Sequence, residues 1–121
     1  MKNQLSYSQI GNELIHELRN TINNSEGQID VANYFSYVTF KLLKSVFNSG
    51  TVNITDSSIL FEPSNDEHYK IDNSLLDNEE FVKIWECSDL SNVISKFAKT
   101  AHHRYVHHTK HQEKTNKKIR N

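Results

Sequence analysis

A run of histidines near the C-terminus is the densest group of side chains that could do chemistry: AHHRYVHHTKH, Ala101 to His111. Four-residue steps place His103, His107 and His111 along one side of a helix. Imidazoles at that spacing can bind a zinc or nickel ion. Because no second cluster of Cys, His or Asp ligands stands out elsewhere in the sequence, we predict no metal and no cofactor. The histidines are then a polar, solvated helix face.

The same run pairs Arg104 with His111, seven positions later and on nearly the same side of a helix. An imidazole that titrates near neutrality can move protons, and a guanidinium can hold a phosphate. This pair on a late helix resembles the active-site motif of HEPN ribonucleases, over Arg104 to His111 alone. The resemblance implies an all-helical fold, pairing of the motif across a dimer and RNA cleavage without metal. We keep this as a third hypothesis and predict that the protein is not an enzyme.

Charge is divided unevenly along the chain. Residues 1–92 contain 6 Lys and Arg against 14 Asp and Glu, whereas residues 93–121 contain 8 Lys and Arg against one Glu, Glu113. A basic end can bind nucleic-acid phosphates, which gives a second hypothesis, a nucleic-acid-binding protein. Only Tyr105 is available there to stack on a base. The residues predicted to contact phosphate are Arg104, Lys110, Lys114, Lys117, Lys118 and Arg120.

Carboxylates are concentrated between Glu62 and Asp89. A dense acidic surface suits a basic protein partner, such as a toxin or an enzyme, and accelerates its approach. Small immunity, antitoxin and inhibitor proteins cover the basic substrate groove of a target in this way. The analogy is with that class of proteins and not with a particular member. Our first hypothesis is therefore a small, non-enzymatic interaction protein of this kind. The residues predicted to contact the partner are Glu67, Asp72, Asp77 and Glu80.

One apolar segment, Val31 to Asn48, organises the elements that must position these groups. Its apolar residues recur at helical spacing over most of the circumference, which is typical of the central helix of a small core. We predict that Asp30 caps the start of this helix. We also predict that Phe35, Val38 and Leu42 are buried.

The other elements follow from periodicity and turn residues. We predict a first helix from Ser6, a small antiparallel hairpin or meander over 51–72, a short helix over 77–87 and a last helix from Ser88 or Asp89. His108 falls on the apolar side of the last helix, where we expect a half-buried ring with a satisfied nitrogen. The sequence thus predicts a mostly helical α+β fold of about four helices, one domain over 1–111 and a frayed basic tail over 112–121.

Length, cysteine content and the distribution of apolar residues limit the class of protein. A length of 121 residues predicts one domain, and one cysteine, Cys87, favours a reducing, cytoplasmic setting. The N-terminus has no apolar run typical of a signal peptide, and no segment is apolar enough to cross a membrane. Abundant asparagine is typical of an AT-rich bacterial or phage gene. The identity of the partner, the oligomeric state and the pathway stay open.

Overall fold

The computed structural model describes the backbone of residues 6–48 and 52–119, with side chains as far as Thr109. Helices and a two-stranded antiparallel sheet make up a mostly helical α+β fold, as predicted. The elements in chain order are α1 (Ser8–Asn23), α2 (Gln28–Val46), β1 (Ile59–Phe61), β2 (Tyr69–Ile71), α3 (Asn73–Leu76), α4 (Glu79–Cys87) and α5 (Leu90–Ile119). Within the described residues no helix is long and apolar enough to cross a bilayer.

Helix α2 lies at the centre of the core. Phe35, Val38 and Leu42 are fully buried, which confirms the prediction for all three. The helix packs against α1, α5 and β1. On the β1 side, the ring of Phe35 lies 5.7 Å from that of Phe61, centroid to centroid.

The predicted cap at Asp30 is wrong, and the first helix begins slightly later than predicted. Helix α2 begins at Gln28 after Gly27, and the carboxylate of Asp30 accepts a hydrogen bond from the Glu26 N–H at 2.9 Å instead of capping the helix. Helix α1 begins at Ser8, two residues after Ser6. The Ser6 hydroxyl donates to the Asp89 carboxylate at 3.0 Å, so Ser6 ties this end of the chain to the start of α5.

Helices α1 and α5 run parallel and very close together. At one end, the Tyr7 N–H donates to the Asp89 carboxylate at 2.8 Å. In the middle, Gly11 is buried where an added Cβ would lie 2.7 Å from a methyl carbon of Val93. At the other end, the Arg104 guanidinium donates to the Asn23 carbonyl at 3.3 Å. The glycine thus allows the two helices to share one long, narrow groove.

The hairpin is shorter than predicted. Its register pairs Ile59 with Ile71 and Phe61 with Tyr69, and the residues between them turn back through Pro63 to Glu67. Val52 and Ile54 are buried without forming a strand. The β-branched side chains in this segment are therefore explained by burial in the core and not by pairing of strands. Residue 51, where the predicted hairpin began, lies outside the described residues.

The acidic segment after the hairpin forms two helices where one was predicted. Asp72 caps α3 by accepting from the Ser74 N–H at 3.1 Å, and Asn78 caps α4 by accepting from the Phe81 N–H at 3.0 Å. The last helix begins at Leu90. Its backbone is helical as far as Ile119, and fraying of the segment 112–121 stays a prediction.

Candidate nucleic-acid interface

Three cavities lie between the described parts of α1 and α5. The cavity at the Asp89 end is lined by that carboxylate, and the other two adjoin each other farther along the helices. Of these two, one has a volume of about 400 Å³ and the other about 470 Å³, and both are lined by Arg19, Lys99 and Thr100. We call this surface the basic groove. Its basic and imidazole side chains are His16, Arg19, Lys96, Lys99, His103 and Arg104.

Helical spacing explains why these side chains meet. His16, Arg19 and Asn23 follow one another at three- and four-residue steps on α1, and Lys96, Lys99 and His103 do so on α5. Each helix therefore turns one polar side toward the groove while its apolar side packs on α2. In the sequence, the same spacing continues along α5 at Lys110, Lys114 and Lys117.

Neither cavity of the basic groove is lined by a carboxylate. On α1, Glu17 instead pairs with Lys41 of α2, with the ammonium nitrogen 2.9 Å from a carboxylate oxygen. Asp89 lies at the far end of α5, where it accepts from Ser6 and Tyr7. The positive charges of the groove are therefore not neutralised by neighbouring acids within it.

Arg104 combines a structural contact with spare donors. Its bond to the Asn23 carbonyl satisfies one of the last acceptors of α1. The Nε of Arg104 is buried and has no acceptor among the described residues. Of the residues predicted to contact phosphate, Arg104 is the one whose described side chain lies in the groove. The side chains of Lys110, Lys114, Lys117, Lys118 and Arg120 lie outside the description.

The histidines of the C-terminal run have different environments. His103 is exposed and lines the groove, and His107 is exposed. His108 is buried, with Nε2 at 2.7 Å from the Ser25 hydroxyl, and this confirms the predicted satisfied nitrogen. Because that hydroxyl donates to the Ile22 carbonyl at 2.5 Å, Nε2 of His108 must carry the hydrogen of their bond.

Neither chemical hypothesis for the histidines gains support from the geometry. The described residues contain no group of three or more His, Cys, Asp or Glu side chains that could hold a metal ion. The side chain of His111 lies outside the description. Its pairing with Arg104 in a ribonuclease motif, and with His103 and His107 on a metal, therefore stays a prediction.

A stacked pair of histidines joins the hairpin to α5. The rings of His68 and His102 lie 3.7 Å apart with an angle of 4° between their planes. His68 reaches this position with a left-handed backbone, φ 70°. Burial, followed by the neighbouring rings of His68 and His103, lowers the pKa of His102. The sequence offered no signal for this pair, because its members are far apart in the chain.

The four acidic residues predicted to contact a partner come from different parts of the fold, and their use as one site stays a prediction. Glu67 lies in the hairpin turn, whereas Asp72 follows the other end of β2. The Ser74 hydroxyl and N–H donate to Asp72 and hold the pKa of that carboxyl below its usual value. Glu80 lies on α4, and Asp77 lines a cavity of about 370 Å³. We call that cavity the acidic groove. It is lined by Leu76, Asp77, Asn78, Glu79, Val82, Lys83, Glu86 and Cys87.

Sequence reasoning missed most of each groove, since it singled out only His103 and Arg104 in the basic groove and Asp77 in the acidic groove. His16 and Arg19 of the basic groove come from a helix that carries no charge cluster of its own. A signal was present at Gly11, because a glycine inside a helix often marks a close helix–helix contact. Glu79 and Glu86 were counted only as part of the general acidic excess.

Comparison with known proteins adds no functional information. No protein-family model matches the chain, and no curated protein or solved structure is significantly similar to it. What the protein binds must therefore be inferred from the two grooves.

Proposed function

We propose that the protein binds nucleic acid through its phosphate backbone, along the basic groove. One observation carries this proposal: Arg19, Lys96, Lys99 and Arg104 converge on two adjoining cavities that no carboxylate lines. Such a row of cations displaces the counterions of a phosphate backbone, and that release drives binding. The geometry thus favours our second sequence-based hypothesis over the first.

The contact we propose is independent of base sequence. No Phe, Tyr or Trp side chain lines either cavity of the basic groove. Tyr105, the aromatic residue considered for stacking, packs inward, with its ring 5.4 Å from that of Phe61. The groove therefore offers cations for phosphates and no large aromatic surface on which successive bases could stack.

The acidic part of the chain orients the ligand. The carboxylates of residues 1–92 lie mainly in the hairpin turn, at the two ends of α3 and on α4. They repel a polyanion from those elements, so a strand is attracted only where the field of α5 and the basic groove is positive. The proposal therefore needs no net positive charge on the whole protein.

The salt dependence of binding tests this proposal. We expect fluorescence anisotropy with a labelled single strand to give a slope of log K against log salt of about −3, from four contacts at roughly −0.7 each. Lys99→Gln should make the slope shallower by about 0.7, because one phosphate contact is lost. Lys44→Gln, an exposed lysine on α2 outside the groove, should leave the slope unchanged.

Two results would count against the proposal. One is the absence of binding to a single strand or a duplex at low salt. The other is an equal change in slope for the Lys99 and Lys44 variants, which would indicate a contact set by net charge alone. The strand can also be tested for cleavage in buffer that contains a metal chelator. If it is cleaved, and both Arg104→Ala and His111→Ala abolish cleavage, the ribonuclease hypothesis replaces the proposed binding function.

The acidic groove favours a second function, capture of a basic protein partner. Leu76 is 49 % exposed at its edge, and Val82 is half-buried within it. The same groove is lined by three carboxylates, of Asp77, Glu79 and Glu86, against one lysine, Lys83. An apolar centre with a charged rim is typical of protein interfaces, and carboxylates on the rim accelerate the approach of a basic surface. This second proposal is the immunity, antitoxin or inhibitor hypothesis, with the acidic groove as its contact surface.

A fluorophore on Cys87 can test this second function. The cysteine is the only one in the sequence, is exposed and lines the acidic groove, so a label there should respond to an occupant. We expect a basic protein encoded beside this gene to change the fluorescence, and Asp77→Lys to slow its association severalfold. Asp56→Lys, an exposed residue outside this groove, is the matched control. Equal rates for both variants would exclude this groove as the contact.

A further inference from the structure

The basic groove ends in a pocket at Arg104 that is open to solvent. We infer that this pocket, of about 400 Å³, binds the terminal phosphomonoester of a nucleic-acid strand. The inference rests on the proposed function, because it assumes that a strand lies along the groove. It adds a ligand class: strands whose end carries a phosphate.

The α1–α2 loop closes this end of the groove. Beyond Asn23 the chain turns across α5, where Ser25 contacts His108 and the Gln28 side-chain amide donates to the hydroxyl of Thr109. In the other direction the groove continues into the second cavity, which is lined by His16 and Lys96. Along the groove a strand can therefore continue in one direction only, so the pocket lies where the path of a strand between α1 and α5 ends.

The charge in the pocket matches a dianion. Arg19, Lys99 and Arg104 are permanent cations, and His103 lies beside them. A phosphomonoester carries a charge of about −1.5 to −2 at neutral pH, whereas each backbone phosphate carries one negative charge. Three cations around one cavity therefore stabilise a terminal phosphate more than a backbone phosphate.

Arg104 also has donors available for the ligand. One guanidinium nitrogen is bonded to the Asn23 carbonyl, while the buried Nε has no acceptor among the described residues. An unsatisfied buried donor is unfavourable, and a phosphate oxygen is a strong acceptor for it. The neighbouring Thr100 hydroxyl is a further donor, and Ile22 supplies an apolar wall for a sugar or a base.

Oligonucleotides that differ only in their ends test the inference. One sequence is compared with a 5′-phosphate, with a 3′-phosphate and with hydroxyls at both ends. We expect one of the two phosphates to raise the affinity about tenfold, the effect of one added charge-assisted contact. Arg104→Gln should abolish that preference. Lys96→Gln, in the adjoining cavity only, should weaken binding of all three strands alike and keep the preference.

Arg104 also caps α1, so thermal unfolding of its variant is measured in parallel. If that variant unfolds, His103→Gln, which alters an exposed residue of the same pocket, should reduce the preference instead. Equal affinity for all three strands would overturn the inference and leave the proposed function standing. Failure of every strand to bind at low salt would overturn both. Competition by a free nucleoside monophosphate as strong as that of the phosphorylated strand would assign the pocket to free nucleotides, against the inference.

Discussion

Replacing Leu42 with alanine is expected to lower the free energy of unfolding by about 2–5 kcal/mol. The side chain is fully buried in the middle of α2, the helix that contacts α1, α5 and β1. Its removal takes apolar area out of the core and leaves a cavity that the surrounding helices can fill only in part. Denaturant titrations of the wild type and the variant measure the loss directly.

Ile29→Ala is the matched control for Leu42→Ala. Ile29 lies on the same helix and has a side chain of similar size, but it is 78 % exposed. Its replacement should change the free energy of unfolding by less than about 0.5 kcal/mol. If Leu42→Ala costs no more than Ile29→Ala, α2 is not the centre of the core.

The core could be predicted from the sequence because its signal is local. Phe35, Val38 and Leu42 recur at helical spacing within one segment, and any fold that forms this helix must bury that side. The order of the elements followed for the same reason, although α3 was not predicted. Turn residues and apolar periodicity can be recognised within a short segment, so a single sequence is enough to detect them.

The helix starts could not be predicted, since their partners lie elsewhere in the chain. Ser6 has the residue type of a cap, but its hydroxyl is bonded to Asp89. Asp30 likewise braces the loop before its helix. Capping patterns are defined over three or four consecutive residues. They cannot include an acceptor far away in the sequence that competes for the capping side chain, as Asp89 does for Ser6.

The basic groove was predictable only in part. The excess of positive charge at the C-terminal end can be counted in the sequence, and it falls on α5, which forms one wall of the basic groove. The contribution of Arg19 depends on α1 lying parallel to α5, which is a tertiary fact. Gly11 permits that approach, but the same glycine is also compatible with a weakened, exposed turn of helix. The structure distinguishes the two by the 2.7 Å that would separate an added Cβ from Val93.

Neutralising three cations of the basic groove should reduce the affinity for single-stranded nucleic acid about 100-fold at roughly 0.1 M salt, from a slope of about 0.7 per lost contact. The variant is Arg19→Gln, Lys96→Gln and Lys99→Gln combined. All three side chains are exposed, so the fold should be retained. Arg104 is left in place because it also contacts the end of α1. Anisotropy titrations at one salt concentration measure the loss.

The matched control removes the same three positive charges elsewhere, as Lys44→Gln, Lys70→Gln and Lys83→Gln. These lysines are also exposed, on α2, β2 and α4, and none lines the two cavities of the basic groove. Long-range attraction falls equally in both triple variants, so it cannot explain a difference between them. A groove that holds phosphates predicts a large loss for the first variant and a small one for the control. Equal losses would mean that net charge alone attracts the strand, and the site would then have to be sought along the C-terminal part of α5.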